Sequence, residues 1–343
     1  LSFGFFVPAL IRYLSQRYGF KTILFSLITA SCSLLIIYLI TSSYYYSSQT
    51  HLFDPYLQAP PPEVTITPKP QGAFRILTLG GSTTRNASLP RQDRYPNVLQ
   101  HLLEKYYPEL NIQIFNAGMN WYTTKHSLIN YSTDLMEWKP DLVIVMHAIN
   151  DLYRSFTDTD YSTTPYDRYW SHYYGPSING AKPPTFFKWF FQRFFSRFSR
   201  CWFSEIRYQE KNMPLHTYVS IKDFSRYFQK LAHYLKSDNV GIVLLTQPYL
   251  YKKEMSAEEV STLWFGREFC TKNRGLFRYY YPSPLSLRNA MDAFNLATKE
   301  LSVDADLLLI DLESALPKDL QYFSDDVHYT KLGCLLYTSP SPR

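Results

Sequence analysis

The sequence predicts a three-layer α/β/α sandwich built on a parallel sheet. Two observations carry this: short unbroken apolar runs, and amphipathic stretches of helical period between them. The runs are Phe74–Leu79, Ile112–Phe115, Leu142–Met146, Val240–Leu245 and Leu307–Ile310. Strands covered on both faces need such runs. Tyr95–Tyr107, Thr123–Trp138, Ile221–Lys236 and Leu285–Leu301 read as the crossover helices. Strand–helix alternation implies parallel strands with right-handed connections, and these gather their functional loops at the carboxyl ends of the strands.

What precedes the sandwich reads in order as residues 1–22, a cytoplasmic N-terminus; 23–42, a transmembrane helix; and 43–72, a proline-rich extended stalk. Ile23–Ile40 is uncharged and apolar, and about 20 such residues cross a bilayer. Arg12, Arg17 and Lys21 precede it, and no Lys or Arg follows until Lys69, which places everything after Ser42 outside. A cleaved signal peptide is the competing reading, but its apolar core is usually shorter and ends at small residues rather than tyrosines. The sandwich itself is expected over 73–333. Residues 152–220 form an aromatic-rich insertion too long for an ordinary connection. Within it Phe187, Phe190, Phe191, Phe194, Phe195, Phe198 and Trp202 fall at helical spacing, with Lys188, Arg193, Arg197 and Arg200 towards other faces. That pattern suits a cap helix packed on the sheet layer, or a helix lying in a membrane interface. The chain starts at Leu1, and residues 334–343 read as a non-native tail outside the fold.

Composition excludes some partners. The 343 residues are 45% hydrophobic with a formal net charge of +6, and no Lys/Arg block of the nucleic-acid-binding kind is present. The modest basic excess fits membrane proximity or plain solvation. Of the four cysteines, Cys32 lies in the apolar run and Cys334 in the tail, leaving Cys201 and Cys270 as an open possibility for a disulfide. No Cys/His spacing of the zinc kind occurs, and no metal or organic cofactor is expected.

Four short motifs hold chemistry-bearing residues: Gly80-Gly81-Ser82-Thr83, Asn116-Ala117-Gly118, Ala148-Ile149-Asn150-Asp151 and Asp325-Asp326-Val327-His328. The first three each follow a predicted strand. Taken singly, each has an ordinary reading: a helix cap, a turn glycine, another cap, an acidic loop. Together they offer a hydroxyl in a tight glycine turn, amide donors, and an imidazole with a carboxylate three residues before it. A serine hydroxyl reacts only beside a base and in an exposed geometry, and an orienting carboxylate makes imidazole such a base.

Leu77-Thr78-Leu79-Gly80-Gly81-Ser82-Thr83-Thr84, followed by Tyr95-Pro96 and Leu99, resembles the first block of the SGNH hydrolases, the GDSL-like esterase family. Apart from the insertion, the resemblance spans roughly Phe74 to Gly333, and Thr330 and Gly333 resemble the family's usual ending. It implies a flavodoxin-like sandwich and ester hydrolysis or acyl transfer. It also implies roles: Ser82 as nucleophile, the Ser82 and Gly118 backbone amides with the Asn150 side chain as oxyanion donors, His328 as general base, and Asp325 as the residue orienting its ring. Ala148 departs from the family, which usually has glycine there. Asp326 is a neighbour without a catalytic role, Asp151 reads as a loop-ordering carboxylate, and His126 and His147 as structural. Arg85 reads as a solvated helix-surface residue, or as a contact for an anionic substrate. The function expected is a membrane-tethered serine esterase acting on O-acyl groups, plausibly O-acetyl groups of a polysaccharide. An O-acyltransferase, or a non-catalytic glycan- or partner-binding domain, remains the alternative.

Overall fold

The computed structural model describes residues 17, 19–49, 57, 67–155, 218, 220–263 and 283–338. Among them, the N-terminal helix belongs to one compact unit and everything from Leu57 onward to another.

Helix α1 spans Phe20–Gln49, and its segment Leu24–Thr41, with a mean hydropathy of 2.2, is long and apolar enough to cross a membrane. Thr29 and Thr41 turn their hydroxyls back onto Phe25 O and Ile37 O, which lets polar side chains sit in an apolar helix. The stalk does not begin at residue 43 as expected, because the helix runs on to Gln49. No proline interrupts it there, and the first one beyond it is Pro55.

The second unit is a five-stranded parallel sheet in the order β2-β1-β3-β4-β5. The strands are β1 (Ala73–Gly80), β2 (Asn111–Asn116), β3 (Leu142–Met146), β4 (Gly241–Leu245) and β5 (Leu308–Ile310). Between and after them run α2 (Ser82–Arg85), α3 (Tyr95–Tyr106), α4 (Thr124–Thr133), α5 (Ile149–Arg154), α6 (Ser220–Ser237), α7 (Ala257–Thr262), α8 (Pro284–Asp304), α9 (Leu312–Ala315) and α10 (Lys331–Thr338).

Alternate strand residues serve two separate cores, as a period of two requires. Leu77, Leu79, Val143, Val145 and Leu244 join Leu128, Tyr131, Phe224, Phe228, Leu231 and Phe294 on one face. Ile76, Ile144, Met146, Val243 and Leu245 join Tyr95, Leu312, Phe323 and Tyr329 on the other. The outer strands are less covered than their apolar runs suggest: β2 is mostly half-buried, and Leu308 and Ile310 of β5 are exposed. An edge strand lacks a neighbour on one side, so its burial is incomplete.

The approach to β1 is strapped rather than free. Arg75 is buried in β1, stacks on Trp138, and donates to Thr67 O, Pro68 O and Trp138 O. Burial lowers its pKa, and the Asp141 carboxylate opposes that shift. Lys69 pairs with Asp141 at 2.5 Å. Earlier in the same segment, Leu57 is buried against Met119 and Tyr122. The expected end of the fold at Gly333 is also revised. Helix α10 continues to Thr338, with Cys334 fully buried and Leu336 packed on the second core. The Thr330 hydroxyl accepts from Gly333 N and so starts this helix.

The predicted aromatic helix of the insertion, and Cys201 and Cys270, lie outside the described residues. The two ends of the insertion are described, and they meet: the hydroxyls of Ser155 and Ser220 hydrogen-bond each other, and Tyr218 reaches Ser286 O. Because the ends already touch, loop closure is nearly independent of what lies between. Replacing residues 156–217 by a short Gly/Ser linker should therefore leave one cooperative thermal transition, followed by circular dichroism. Loss of that transition would contradict this topology.

Candidate active site

Strand order reverses on either side of β1, since β2 lies to one side and β3 to the other. Open sheets of this kind bind ligands at that reversal, beyond the carboxyl ends of the strands. Gly80 of β1 pairs with Met146 of β3. The segments Gly81-Ser82 and Ala148-Ile149-Asn150 therefore leave the sheet side by side.

Ser82 opens the short helix α2 and is half-buried. Amides in the first turn of a helix have no carbonyl partner within it, so the Ser82 N–H is left without an acceptor inside α2. Asn150 lies in the first turn of α5, whose start is held by a bond from Ile149 N to Gln247 Oε1 at 3.0 Å. Gln247 is in turn fixed by Asn295, through Gln247 N to Asn295 Oδ1 at 2.8 Å and Asn295 Nδ2 to Gln247 O at 3.0 Å. The Asn150 side chain donates from Nδ2 to Tyr122 O at 2.9 Å and lies over Gly81, where any Cβ would collide with it. A glycine is thus required for the asparagine amide to reach the serine turn. One N–H of that amide is used by Tyr122, and an amide nitrogen carries two. The methyl group of Ala148 is absorbed by the first core.

The Asp325–His328 segment is built by a tight loop. Phe323 and Tyr329 form an antiparallel bridge, and Ser324 N donates to His328 O at 2.8 Å. Inside this loop Asp325 Oδ1 accepts from Val327 N at 2.9 Å and His328 N at 2.7 Å. Its Oδ2 lies 2.7 Å from His328 Nδ1. Both carboxylate oxygens are therefore occupied, and the ring is held in one orientation with Nε2 on its far side. Burial pulls the His328 pKa down, but the hydrogen bond and charge of Asp325, with Asp326 behind it, outweigh burial and raise it above 6.5. Asp326 instead braces the loop from within: it is fully buried, and its Oδ2 accepts from Tyr251 OH at 2.8 Å.

Gly118 lies against helix α2, and a Cβ there would fall 2.6 Å from Arg85 N and 2.8 Å from the Thr84 side chain. Its own amide, however, donates to Asn116 Oδ1 at 2.9 Å. Asn116 also donates from Nδ2 to Thr84 O at 3.0 Å, so it bridges this loop and α2. Three further residues carry no signal in the sequence. Trp121 takes a left-handed backbone with φ of 67°, which is strained for an aromatic residue, one position before the carbonyl that holds Asn150. Leu57 packs under the same loop. Asn86 closes α2 with φ of 40° and donates from Nδ2 to Tyr329 O at 3.1 Å, which joins the serine helix to the residue after His328.

The remaining polar residues singled out in the sequence have partners within the fold. Asp151 accepts from Thr124 N at 3.1 Å and Thr124 Oγ1 at 2.7 Å. His147 is buried, lies 2.8 Å from the Ser127 hydroxyl, and is pushed by burial down to about 3, so it stays neutral. His126 caps α4 through Thr123, with Nδ1 2.8 Å from the hydroxyl, and stacks on Tyr122. Arg85 lies along the helix surface, with Nη1 3.4 Å from Met119 Sδ. Among the described residues, no group of three or more His, Cys, Asp or Glu side chains converges as a metal site.

Comparison with known proteins gives the class. The model of the GDSL-like lipase/acylhydrolase family matches residues 78–334, and the chain belongs to that family. An acetylxylan esterase of Geobacillus stearothermophilus is 36% identical over 55 residues, which is 16% of this chain and 25% of that protein. An uncharacterized lipoprotein of Bacillus subtilis, YqeF, is 29% identical over 89 residues, 26% of this chain and 36% of that protein. The matched regions thus span well under two thirds of either relative. Among solved structures, the acetylxylan esterase Axe2 of Geobacillus stearothermophilus is 17% identical with a TM-score of 0.45, covering 77% of this chain and 90% of that one. An alpha/beta hydrolase from the metagenome of Lake Arreo is 14% identical with a TM-score of 0.44, covering 77% and 91%.

Asp151 gives a direct test of how the loops are held. Asp151→Ala would leave the buried Thr124 amide and hydroxyl unsatisfied, which should lower stability by roughly 1–3 kcal/mol in chemical denaturation. An unchanged denaturation midpoint would contradict this role.

Proposed function

We propose that this domain is a carboxylic ester hydrolase working through an acyl-serine, with Ser82, His328 and Asp325 as its catalytic residues. The observation that carries the reading is the Asp325–His328 bond at 2.7 Å, in a loop tied through Tyr329 O to the helix that Ser82 begins. Ser82 Oγ attacks the ester carbonyl while its proton passes to His328 Nε2. Asp325 holds the ring and stabilises the imidazolium. The tetrahedral oxygen takes hydrogen bonds from the Ser82 amide and from the second N–H of Asn150. Gly118 serves first by lacking a Cβ, and its amide joins as a third donor on leaving Asn116. On collapse of the tetrahedral intermediate, the proton on His328 goes to the departing alcohol oxygen. Water, deprotonated by the same ring, then releases the acid and restores Ser82.

O-acetyl esters of a polysaccharide are the substrate class we favour, supported by the relative named as an acetylxylan esterase. We place the domain outside the membrane, anchored by α1 as a single span with its N-terminus in the cytoplasm. Arg12, Arg17 and Lys21 before the apolar segment support that orientation, and the relative named as a lipoprotein supports membrane association alone.

The full chain in detergent should hydrolyse p-nitrophenyl acetate, and Ser82→Ala should reduce the rate to background. Equal rates for the two proteins would sink the enzymatic reading. Asn150→Ala should lower kcat by about 100–1,000-fold, as loss of one oxyanion donor does elsewhere.

The pH dependence follows from the raised His328 pKa. The base works only when neutral, so kcat/KM should fall as pH drops through an apparent pKa above 6.5 and level off above it. Asp325→Asn removes the interactions that raise that pKa. The acid limb should therefore move to lower pH, while kcat falls by roughly 10,000-fold. A limb that stays in place would show that another group controls the rate.

A further inference from the structure

We propose that Asn86 is a positioning residue that sets the approach of the His328 ring to the Ser82 hydroxyl. This rests on the assignment of those two residues given above. Ser82 and His328 lie far apart in sequence, on a short helix and a loop respectively, and neither element by itself fixes the other's distance. Among the described residues, Asn86 supplies a direct hydrogen bond between the two segments. Its backbone amide donates to Ser82 O at 2.7 Å, and its side-chain Nδ2 donates to Tyr329 O at 3.1 Å, one residue beyond the base. The same nitrogen lies 3.5 Å from Cys334 Sγ in α10, and the side-chain oxygen accepts from the Ser88 hydroxyl at 2.9 Å. Asn86 is fully buried, so water does not compete for these bonds.

Its backbone supports the same role. Asn86 has φ of 40° and ψ of 55°, a left-handed conformation that asparagine tolerates better than most residues. That conformation ends α2 after one turn and points the side chain across to the base loop. Glycine would satisfy the backbone equally well but offers no amide. Asparagine therefore meets two demands at once, stopping the helix and clamping the loop. A displacement of about 1 Å between reacting groups costs on the order of 100-fold in rate, so a clamp at this point bears directly on turnover.

The test uses the full chain carrying Asn86→Gly, which keeps the backbone and removes the amide, and Asn86→Asp, which keeps size and left-handed tolerance but turns an acceptor towards Tyr329 O. Both should lower kcat by about 10–100-fold with KM within about twofold of the parent. In Asn86→Gly the acid limb of the pH profile should stay in place, because the Asp325–His328 bond is untouched and no charge is added. Thermal melting and fluorophosphonate titration establish the amount of folded protein in each case. Crystal structures should show the Ser82 Oγ to His328 Nε2 separation lengthened in the variants, with Asp325 still on the ring. If Asn86→Gly does not fold, Ser88→Ala, which loosens the Asn86 side chain from its far end, should lower kcat severalfold. Parental kcat in the folded variants with an unchanged Ser82–His328 separation would overturn the proposal. If the parent chain itself shows no Ser82-dependent hydrolysis, the enzymatic reading falls, and the crystallographic separation alone still decides whether Asn86 spaces the two segments.

Discussion

The pairing of β1 with β3 is the constraint on which the site depends. Parallel strands lie about 4.8 Å apart, and the register sets Gly80 opposite Met146. Everything that follows those two residues is delivered to one place on the sheet edge. The Asn150 amide then lies so close to the serine turn that a Cβ at position 81 would collide with it. A one-residue slip of β1 against β3 would turn either Leu77 and Leu79 or Val143 and Val145 out of their core. The two large cores thus hold the register, and the register holds the chemistry.

Around that edge the loops are fixed by buried polar side chains with named partners. Asn116 ties the Gly118 loop to α2, Gln247 and Asn295 tie α5 to β4 and α8, and Asp151 ties α5 to α4. The Asp325–His328 loop is held from below by Tyr251 through Asp326, and from the side by Asn86 through Tyr329. A hydrogen bond in a buried setting is costly to leave unmade, which makes each of these links directional as well as stabilising. An apolar core of the same size would hold the helices together without specifying how these side chains are turned. Preorganisation of this kind is what acyl transfer needs, because donors already aimed at the developing charge require no reorganisation during reaction.

The strands are legible in the sequence because buried parallel strands leave contiguous apolar runs, and the run Leu142–Met146 coincides with β3 at both ends. The crossover helices are legible from their period, although the predicted Thr123–Trp138 divides into α4 and a 3₁₀ turn over Leu135–Trp138. Asp325, rather than Asp326, is recognisable as the ring's partner because an i, i+3 offset inside one loop is a local geometry. Long-range relations leave no such trace. Nothing in the sequence couples Leu57 to Met119, or Asn86 to Tyr329, since each depends on segments that meet only in the folded chain. The Gly118 amide illustrates the same limit: glycine at a strand end is visible, but the direction of its N–H, towards Asn116, follows from a side chain two residues away. Left-handed Trp121 is likewise invisible, since tryptophan does not announce a positive φ, and Asn86 is of a type that tolerates one without requiring it.

Esterase chemistry at this sheet edge requires Ser82, His328 and Asn150 to converge around one carbon atom. The most direct test is a crystal structure of the chain after reaction with a small organophosphate, which mimics the tetrahedral intermediate. The phosphorus should be bonded to Ser82 Oγ, with one phosphoryl oxygen within hydrogen-bond reach of the Ser82 amide and Asn150 Nδ2, and His328 Nε2 facing the ester oxygen. Phosphorus on another residue, or on Ser82 with its oxygen turned away from Asn150, would contradict that convergence.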